Sequence, residues 1–413
     1  MKPEKGRLRP GRAFLIIINN MKVVAINNRA VNVFVVMVCQ SFQTVSGAGI
    51  ALFLPSIRSN LNLSFTQAGT LSAATIFSYA LMQIPAGYLA DRYGLKRIFF
   101  IGVLGTTALC LTFGLVPRYW HALVNQTASG IFHALLFQAG LALMANWFGA
   151  ERRATAMGLS LVGIFAGQLL INALGPWLVE HFGWRFPFIS FGFVGILASF
   201  IYLRLGQESQ DTQSREKLRI ADALRLFRHR FMWVCGIIQY VRLGVMQGIA
   251  FWLPSLLIDE QGLALQVTGS IIALRTLLIA PSNLLGGYIS DRLKRPTAVM
   301  GISLVILAMT TAALAKVNDV ALLIALIFIN AIFIQFYFGP LFAVPVEKYG
   351  THMAGTLSGF GNFFANLGAF TFTYLLGALK DQTGYFESGF YAMAGACLLG
   401  LIFTVLLEGM RRH

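Results

Sequence analysis

The peptide Gly-Tyr-Leu-Ala-Asp-Arg at 87–92 returns as Gly-Tyr-Ile-Ser-Asp-Arg at 287–292. Asp91 and Asp291 stand 200 residues apart in a chain of 413. A second echo has nearly the same offset. Glu151-Arg152 precedes Thr155 and Met157, and Glu347-Lys348 precedes Thr351 and Met353, 196 residues further on. The chain is one design written twice. Copies of that length each make a lobe, so the fold is expected to be two related lobes rather than a stack of short repeats.

Apolar residues make up 57% of the chain and Asp, Glu, Lys and Arg only 12%. A soluble domain carries about 25% charged residues. The deficit is concentrated in long apolar windows without polar faces, each long enough for a bilayer, which needs roughly 20 residues. We count twelve candidate spans: 31–55, 68–90, 97–116, 120–147, 154–179, 187–205, 231–258, 266–290, 297–315, 320–344, 352–379 and 388–407. The expected fold class is therefore an all-α membrane protein of twelve transmembrane helices in two pseudo-symmetric six-helix halves. The expected division is 1–205 for the N-terminal half with a basic cytoplasmic N-terminus, 206–230 for a cytoplasmic linker, and 231–413 for the C-terminal half. Leu218–Leu224 in that linker is amphipathic and is expected to lie along the membrane face. Ala13–Ile18 is too short for a signal-peptide core and is expected to stay on the chain.

The net charge of +16 invites a nucleic-acid reading, but the basic residues sit in short segments between spans. With both termini inside, 25 of the 32 Lys and Arg fall on the cytoplasmic side. Only Arg58, Arg118, Arg185, Lys316 and Lys380 fall outside, as the positive-inside rule requires. The expected location is the cytoplasmic (inner) membrane, multi-pass, with no nucleic-acid partner. Cys39, Cys110, Cys235 and Cys397 lie in spans at no metal or disulfide spacing and are expected to pack as small apolar residues.

Two basic residues remain, Arg242 in span 7 and Arg275 in span 8. By residue count both lie roughly 14–16 Å deep, near the midplane of a ~30 Å core. All sixteen carboxylates fall in loops, so neither guanidinium has an acidic partner in a span. A charge there costs at least ~2.5–3.5 kcal/mol. Amides, carbonyls and cavity water offset that cost in one reading, and an anionic ligand in the other. The second suits guanidinium chemistry, a planar fork matched to carboxylate and phosphate. Around the arginines we expect a polar, aromatic cavity. Its candidates are Gln40, Gln43, Tyr79, Gln83, His133, Gln138 and Gln168 from the first half. From the second come Gln239, Gln247, Asn330, Gln335, Tyr337, Asn362 and Asn366. His133 is the one mid-span histidine and the candidate for coupling to a proton.

The peptide 87–97, Gly-Tyr-Leu-Ala-Asp-Arg-Tyr-Gly-Leu-Lys-Arg, falls between spans 2 and 3. There it closely resembles the loop signature of the major facilitator superfamily, with a weaker repeat after span 8. Asn146-Trp147-Phe148 through Glu151-Arg152-Arg153, and Gly183-Trp184-Arg185, are also similar to that superfamily. The nearest branch by resemblance is the anion:cation symporters, which place a tyrosine and a glutamine before the loop as Tyr79 and Gln83 stand here. The resemblance implies alternating access and an inner-face latch. Its residues would be Gly87, Asp91, Arg92, Gly94, Lys96, Arg97, Glu151, Arg152, Arg153, Gly287, Asp291 and Arg292. Asp91 would pair with Arg152 or Arg153, or cap span 11. Those symporters usually carry a carboxylate in span 1 or 4, and this chain has none there. The glycines of span 5, ending in Gly175-Pro176, lack the spacing of the antiporter pattern and are read as close helix packing.

The expected function is a secondary carrier for a small organic anion, such as a carboxylate, a phosphate ester or a carboxylate-type siderophore, in the uptake direction and as a monomer. The alternatives are efflux of drug-like or lipid-like compounds and a non-transporting sensor. No phosphate-binding loop, metal-ligand cluster or nucleophile–base pair points to an enzyme, so neither cofactor nor metal is expected.

Overall fold

The computed structural model describes residues 29–148, 153–207, 226–317, 319–350 and 354–412. The N-terminal Ala13–Ile18, the linker piece Leu218–Leu224, and Glu151 and Arg152 of the expected latch lie outside them. Of Arg153 only the helical backbone is described.

The described residues form helices and no strands. The first half comprises α1 (Arg29–Leu52), α2 (Leu54–Leu61), α3 (Phe65–Tyr93), α4 (Leu95–Phe113), α5 (Tyr119–Trp147), α6 (Arg153–Phe182) and α7 (Arg185–Leu205). The second comprises α8 (Arg230–Ser255) with a π turn (Leu256–Glu260), α9 (Leu265–Leu293), α10 (Pro296–Leu314), α11 (Val320–Phe336), α12 (Phe338–Tyr349), α13 (Ala354–Thr383) and α14 (Glu387–Arg412). Expected span 1 is α1 with α2, and expected span 10 is two helices, α11 and α12, divided at Tyr337.

Sequence chemistry explains the ends. Ser64 and Gln67 form a capping box at the start of α3, each side chain taking the other residue's backbone N–H. Asp319 caps α11 through the amide of Leu322, 2.7 Å away. Gly94, at φ 91°, turns the chain from α3 into α4. All four cysteines are buried and unpaired. Gly163 and Gly167 of α6 lie against the backbones of Met37 and Ser41 in α1, as expected for helix-packing glycines.

Among the described residues, ten segments are long and apolar enough to cross a membrane, and α3 and α13 are not among them. These two pack against each other across the halves. Helices that face each other and a cavity do not need the uniform apolar surface that lipid demands.

The ends of α3 and α9 that carry the duplicated motif define a motif end; the opposite side is the far end. At the far end the halves are sealed. Asp381, in the last turn of α13, accepts from the amides of Phe65 (2.9 Å) and Thr66 (2.7 Å) and the Thr66 hydroxyl (2.5 Å). A carboxylate there meets the positive end of the α3 dipole. Arg58 pairs with Asp259 at 3.4 Å, and Gln266 donates to Glu180. Phe65 stacks between Trp252 (5.9 Å) and Phe386 (5.6 Å).

Beneath these contacts the seal is backbone on backbone, and it is duplicated. A Cβ on Gly69 would lie 2.9 Å from the carbonyl oxygen of Thr373; one on Gly269 would lie 2.6 Å from that of Asn172. Only glycine allows this approach, and its Cα–H faces the carbonyl. The glycines are 200 residues apart, like the motifs. The seam holds as far as Phe77, which meets Phe370 at 5.6 Å. Further toward the motif end the same stripe of α3 is uncovered. Leu81, Ile84 and Tyr88 are exposed, and so are their counterparts on α9, Leu284 and Tyr288. The bundle is closed at the far end and parted at the motif end.

Candidate anion site

Arg242 lies on α8 beside the break between α11 and α12. Its Nε donates to Gln239 Oε1 at 2.9 Å, and its guanidinium sits 4.8 Å from the centre of the Phe338 ring. The break follows from Pro340, which has no N–H for the carbonyl of Phe336 four residues earlier. Tyr337 takes φ −101°, ψ 9°, and α12 restarts at Phe338. Its first amides, the positive end of a helix, thus begin beside a guanidinium. A small cavity lies beside Gln239, lined by Met232 and Cys235 of α8, Leu341, Phe342 and Pro345 of α12, and Leu357, Ser358 and Gly361 of α13; Arg242 itself does not line it.

Arg275 is also buried, at 2% exposure, and its Nε and Nη2 have no hydrogen-bond partner among the described residues. It shares a helical stripe with Ile279, Ser282 and Gly286. Gly286 abuts the Phe336 carbonyl that Pro340 leaves free; a Cβ there would come within 1.7 Å of the oxygen. Arg275 therefore faces the α11 side. Counting back along the stripe from 286 to 275, it stands roughly 16 Å toward the far end from that contact. Helical side chains lean toward their own N-terminus, and α8 and α9 run oppositely. Arg242 leans to the motif end and Arg275 to the far end. Both arginines lie near the broken helix, Arg242 beside Phe338 and Arg275 on the α9 stripe that meets Phe336. The described carboxylates all lie near helix ends or in turns, and no ion pair to either arginine is seen.

The other candidates divide. Gln335 joins the Arg242 group: its Nε2 meets Met246 Sδ at 3.4 Å, and its Oε1 has no partner. Tyr337 is buried at the break. Asn362 and Asn366 lie one turn apart on the α13 stripe that continues through Phe370 and Thr373, facing the first half; Asn366 donates to the Asn362 carbonyl. Asn330 is turned away. It bonds Thr310 (3.1 Å) and Thr311 (3.2 Å) of α10, as Asn125 bonds Thr112 (2.9 Å) of α4 in the first half. That is helix joining, repeated by the duplication. Gln40 is fully buried against Phe99 and Gly140, between α1, α4 and α5. Gln43 is partly buried with its Oε1 unpartnered. Gln83 accepts from Gln138, and the Tyr79 ring packs on Phe137 at 6.3 Å. His133 is buried, its Nε2 3.3 Å from Ser129 Oγ on its own helix. Asp91 and Asp291 are exposed at the motif end.

Asp381 was not legible as a seal residue, because it belongs to no motif. The one hint was an acid predicted to fall at the same face as the start of span 2.

The sequence matches the family described as Major Facilitator Superfamily over residues 36–373 and again over 268–412. The chain belongs to the major facilitator superfamily. A D-galactonate transporter of Escherichia coli O6:H1 is 23% identical, covering 88% of this chain and 92% of the relative. A hexuronate transporter of Bacillus subtilis is 24% identical, covering 87% and 89%. Among solved structures, a bacterial homologue of the human lysosomal transporter Spinster, inward-facing and unoccupied, superposes with a TM-score of 0.76 at 17% identity, covering 93% of this chain and 96% of that one. These likenesses agree with the all-α, two-half fold of this multi-pass membrane protein.

Proposed function

We propose that this superfamily member is a secondary carrier for a small organic anion, held by Arg242 and Arg275. One observation carries the reading: the guanidinium of Arg275 is buried in the span region, and its Nε and Nη2 have no partner among the described residues. Such a group is satisfied by a ligand that brings its own negative charge. The names of the relatives support it, since both are transporters of sugar acids. They lend nothing to drug or lipid efflux.

The positive-inside count puts the motif end in the cytoplasm of the inner membrane, with residues 206–230 linking the halves on that side. Sealed at the far end, the protein would then be inward-facing. The exposed loop residues around Asp91 and Asp291 would form the latch of the opposite state. We read the protein as a monomeric carrier without enzymatic activity, working in uptake. His133 is the group proposed to carry a coupled proton.

A thermal-shift screen of purified protein against galactonate, hexuronates, glucarate, phosphate esters and sulfonates tests the reading. At least one anion should raise Tm by several degrees, and Arg242→Gln should remove the shift while the protein stays folded. An unchanged shift in that variant rejects the assignment of Arg242. His133→Gln should abolish proton-driven accumulation but keep counterflow; accumulation at the wild-type level would dismiss His133.

A further inference from the structure

A guanidinium has two kinds of edge that grip a carboxylate with paired N–H groups: end-on through Nη1 and Nη2, and side-on through Nε and the Nη beside it. In Arg242 the side-on edge is spent. Its Nε donates to Gln239 Oε1 at 2.9 Å, and it makes no further hydrogen bond among the described residues. The Phe338 ring, centred 4.8 Å from Cζ, flanks the same guanidinium. What is left is the end-on pair. Gln239 is itself fixed. It is buried, and a guanidinium, which has donors only, meets nothing of the amide but its oxygen. Nε2 is thereby turned to Gly361 of α13, where a Cβ would sit 3.5 Å from it. The duplication shows the same glutamine without an arginine. The Ser41 carbonyl meets Gly167 of α6 as the Tyr240 carbonyl meets Gly368 of α13, so Ser41 and Tyr240 are counterparts. Gln40 and Gln43 therefore stand where Gln239 and Arg242 stand. Gln40 is also buried, yet neither polar atom of its amide has a partner among the described residues. Building on the carrier reading above, we propose that Gln239 is the positioning residue of the anion site, turning Arg242 so that a carboxylate is received end-on.

Binding of radiolabelled galactonate, glucuronate and glucarate to purified protein tests this, with Tm followed on the same samples. Gln239→Met keeps the length of the side chain and its packing over Gly361 but has no amide oxygen. It should melt close to wild type and weaken binding about tenfold, the loss expected when one hydrogen bond to a charged group goes. Gln239→Glu sets a carboxylate against Arg242 Nε, an internal counter-ion that competes with the cargo. It should raise Tm and weaken binding more than Gln239→Met does. A glutamine that merely packs would give the higher Tm with binding intact, so the opposed movement of Tm and affinity is the decisive readout. If Gln239→Glu does not fold, Gln239→Met decides alone. Wild-type affinity in Gln239→Met or in folded Gln239→Glu, with binding still lost in Arg242→Gln, overturns the positioning role and leaves the carrier reading standing. If wild-type protein binds none of the three anions, the carrier reading falls and this proposal with it.

Discussion

Asn330 and Arg275 are both polar, both buried and both in the second half, yet they differ in where their donors go. Asn330 spends its amide N–H groups on two threonines of α10. Arg275 has two donor nitrogens with no partner among the described residues. The first pattern joins helices and the second waits for a ligand. Asn330→Ala should therefore cost about 1 kcal/mol of stability and leave substrate KM unchanged. A lower Tm with wild-type transport kinetics is the expected result, and a raised KM would return Asn330 to the site. Sequence alone ranked the two arginines above the amides, because only a fixed charge carries a large cost in lipid. It did not separate Asn330 from Gln335, since one buried amide reads like another until its partners are seen.

Among the helices, ten of the twelve expected spans were legible as long apolar windows, whereas α3 and α13 fall short of that among the described residues, and the division of span 10 was not made although its signal was present. Pro340 deprives the Phe336 carbonyl of its i+4 donor, and the chain bends there. The same device recurs in α6, where Pro176 frees the carbonyl of Asn172. Both freed carbonyls lie against glycines of α9, Asn172 on Gly269 and Phe336 on Gly286. A side chain at Gly269 has no room, because the obstacle is backbone and proline ring. Gly269→Leu should force α9 from α6 and favour the state open at the far end. Thiol labelling of a cysteine at Thr373, a position buried in the seam at 0% exposure, should rise severalfold. Labelling at the wild-type rate would show that the glycine does not govern the seam. Gly69→Leu should act the same way through α13, since the duplication places it in the equivalent contact.

For the molecule as a whole, the far-end seal is electrostatic at its rim and backbone-tight beneath. Burial pushes the Asp381 carboxyl up, but the Thr66 hydroxyl and the Thr66 and Phe65 amides outweigh it and hold its pKa below the ordinary 3.8. A carboxylate with a depressed pKa in the sealed state favours that state at any pH above its ordinary value, and loses this effect as pH falls through the lowered one. The contribution of Asp381 to the seal should thus be constant from neutral pH down to about 4 and fall only below it. Asp381→Asn should show raised Thr373→Cys labelling at pH 7 and no further rise in acid. A wild-type transition near pH 6 would mean that another group governs the seal. The two-half architecture was readable from the repeated motif, whereas the seal was not. Its parts include an acid in the last turn of α13, the start of α3 and two glycines, and nothing in their spacing brings them together before the halves dock.

The carbonyl of Asn172 has a further consequence. It has no N–H at position 176 to bond, and in the sealed state a glycine α-carbon shields it. Parting the far end strips that cover and leaves a bare acceptor on the wall of the newly opened mouth. Water must wet it, or a donor on the incoming solute must, so the entrance offers a hydrogen-bond acceptor that exists only while the door is ajar.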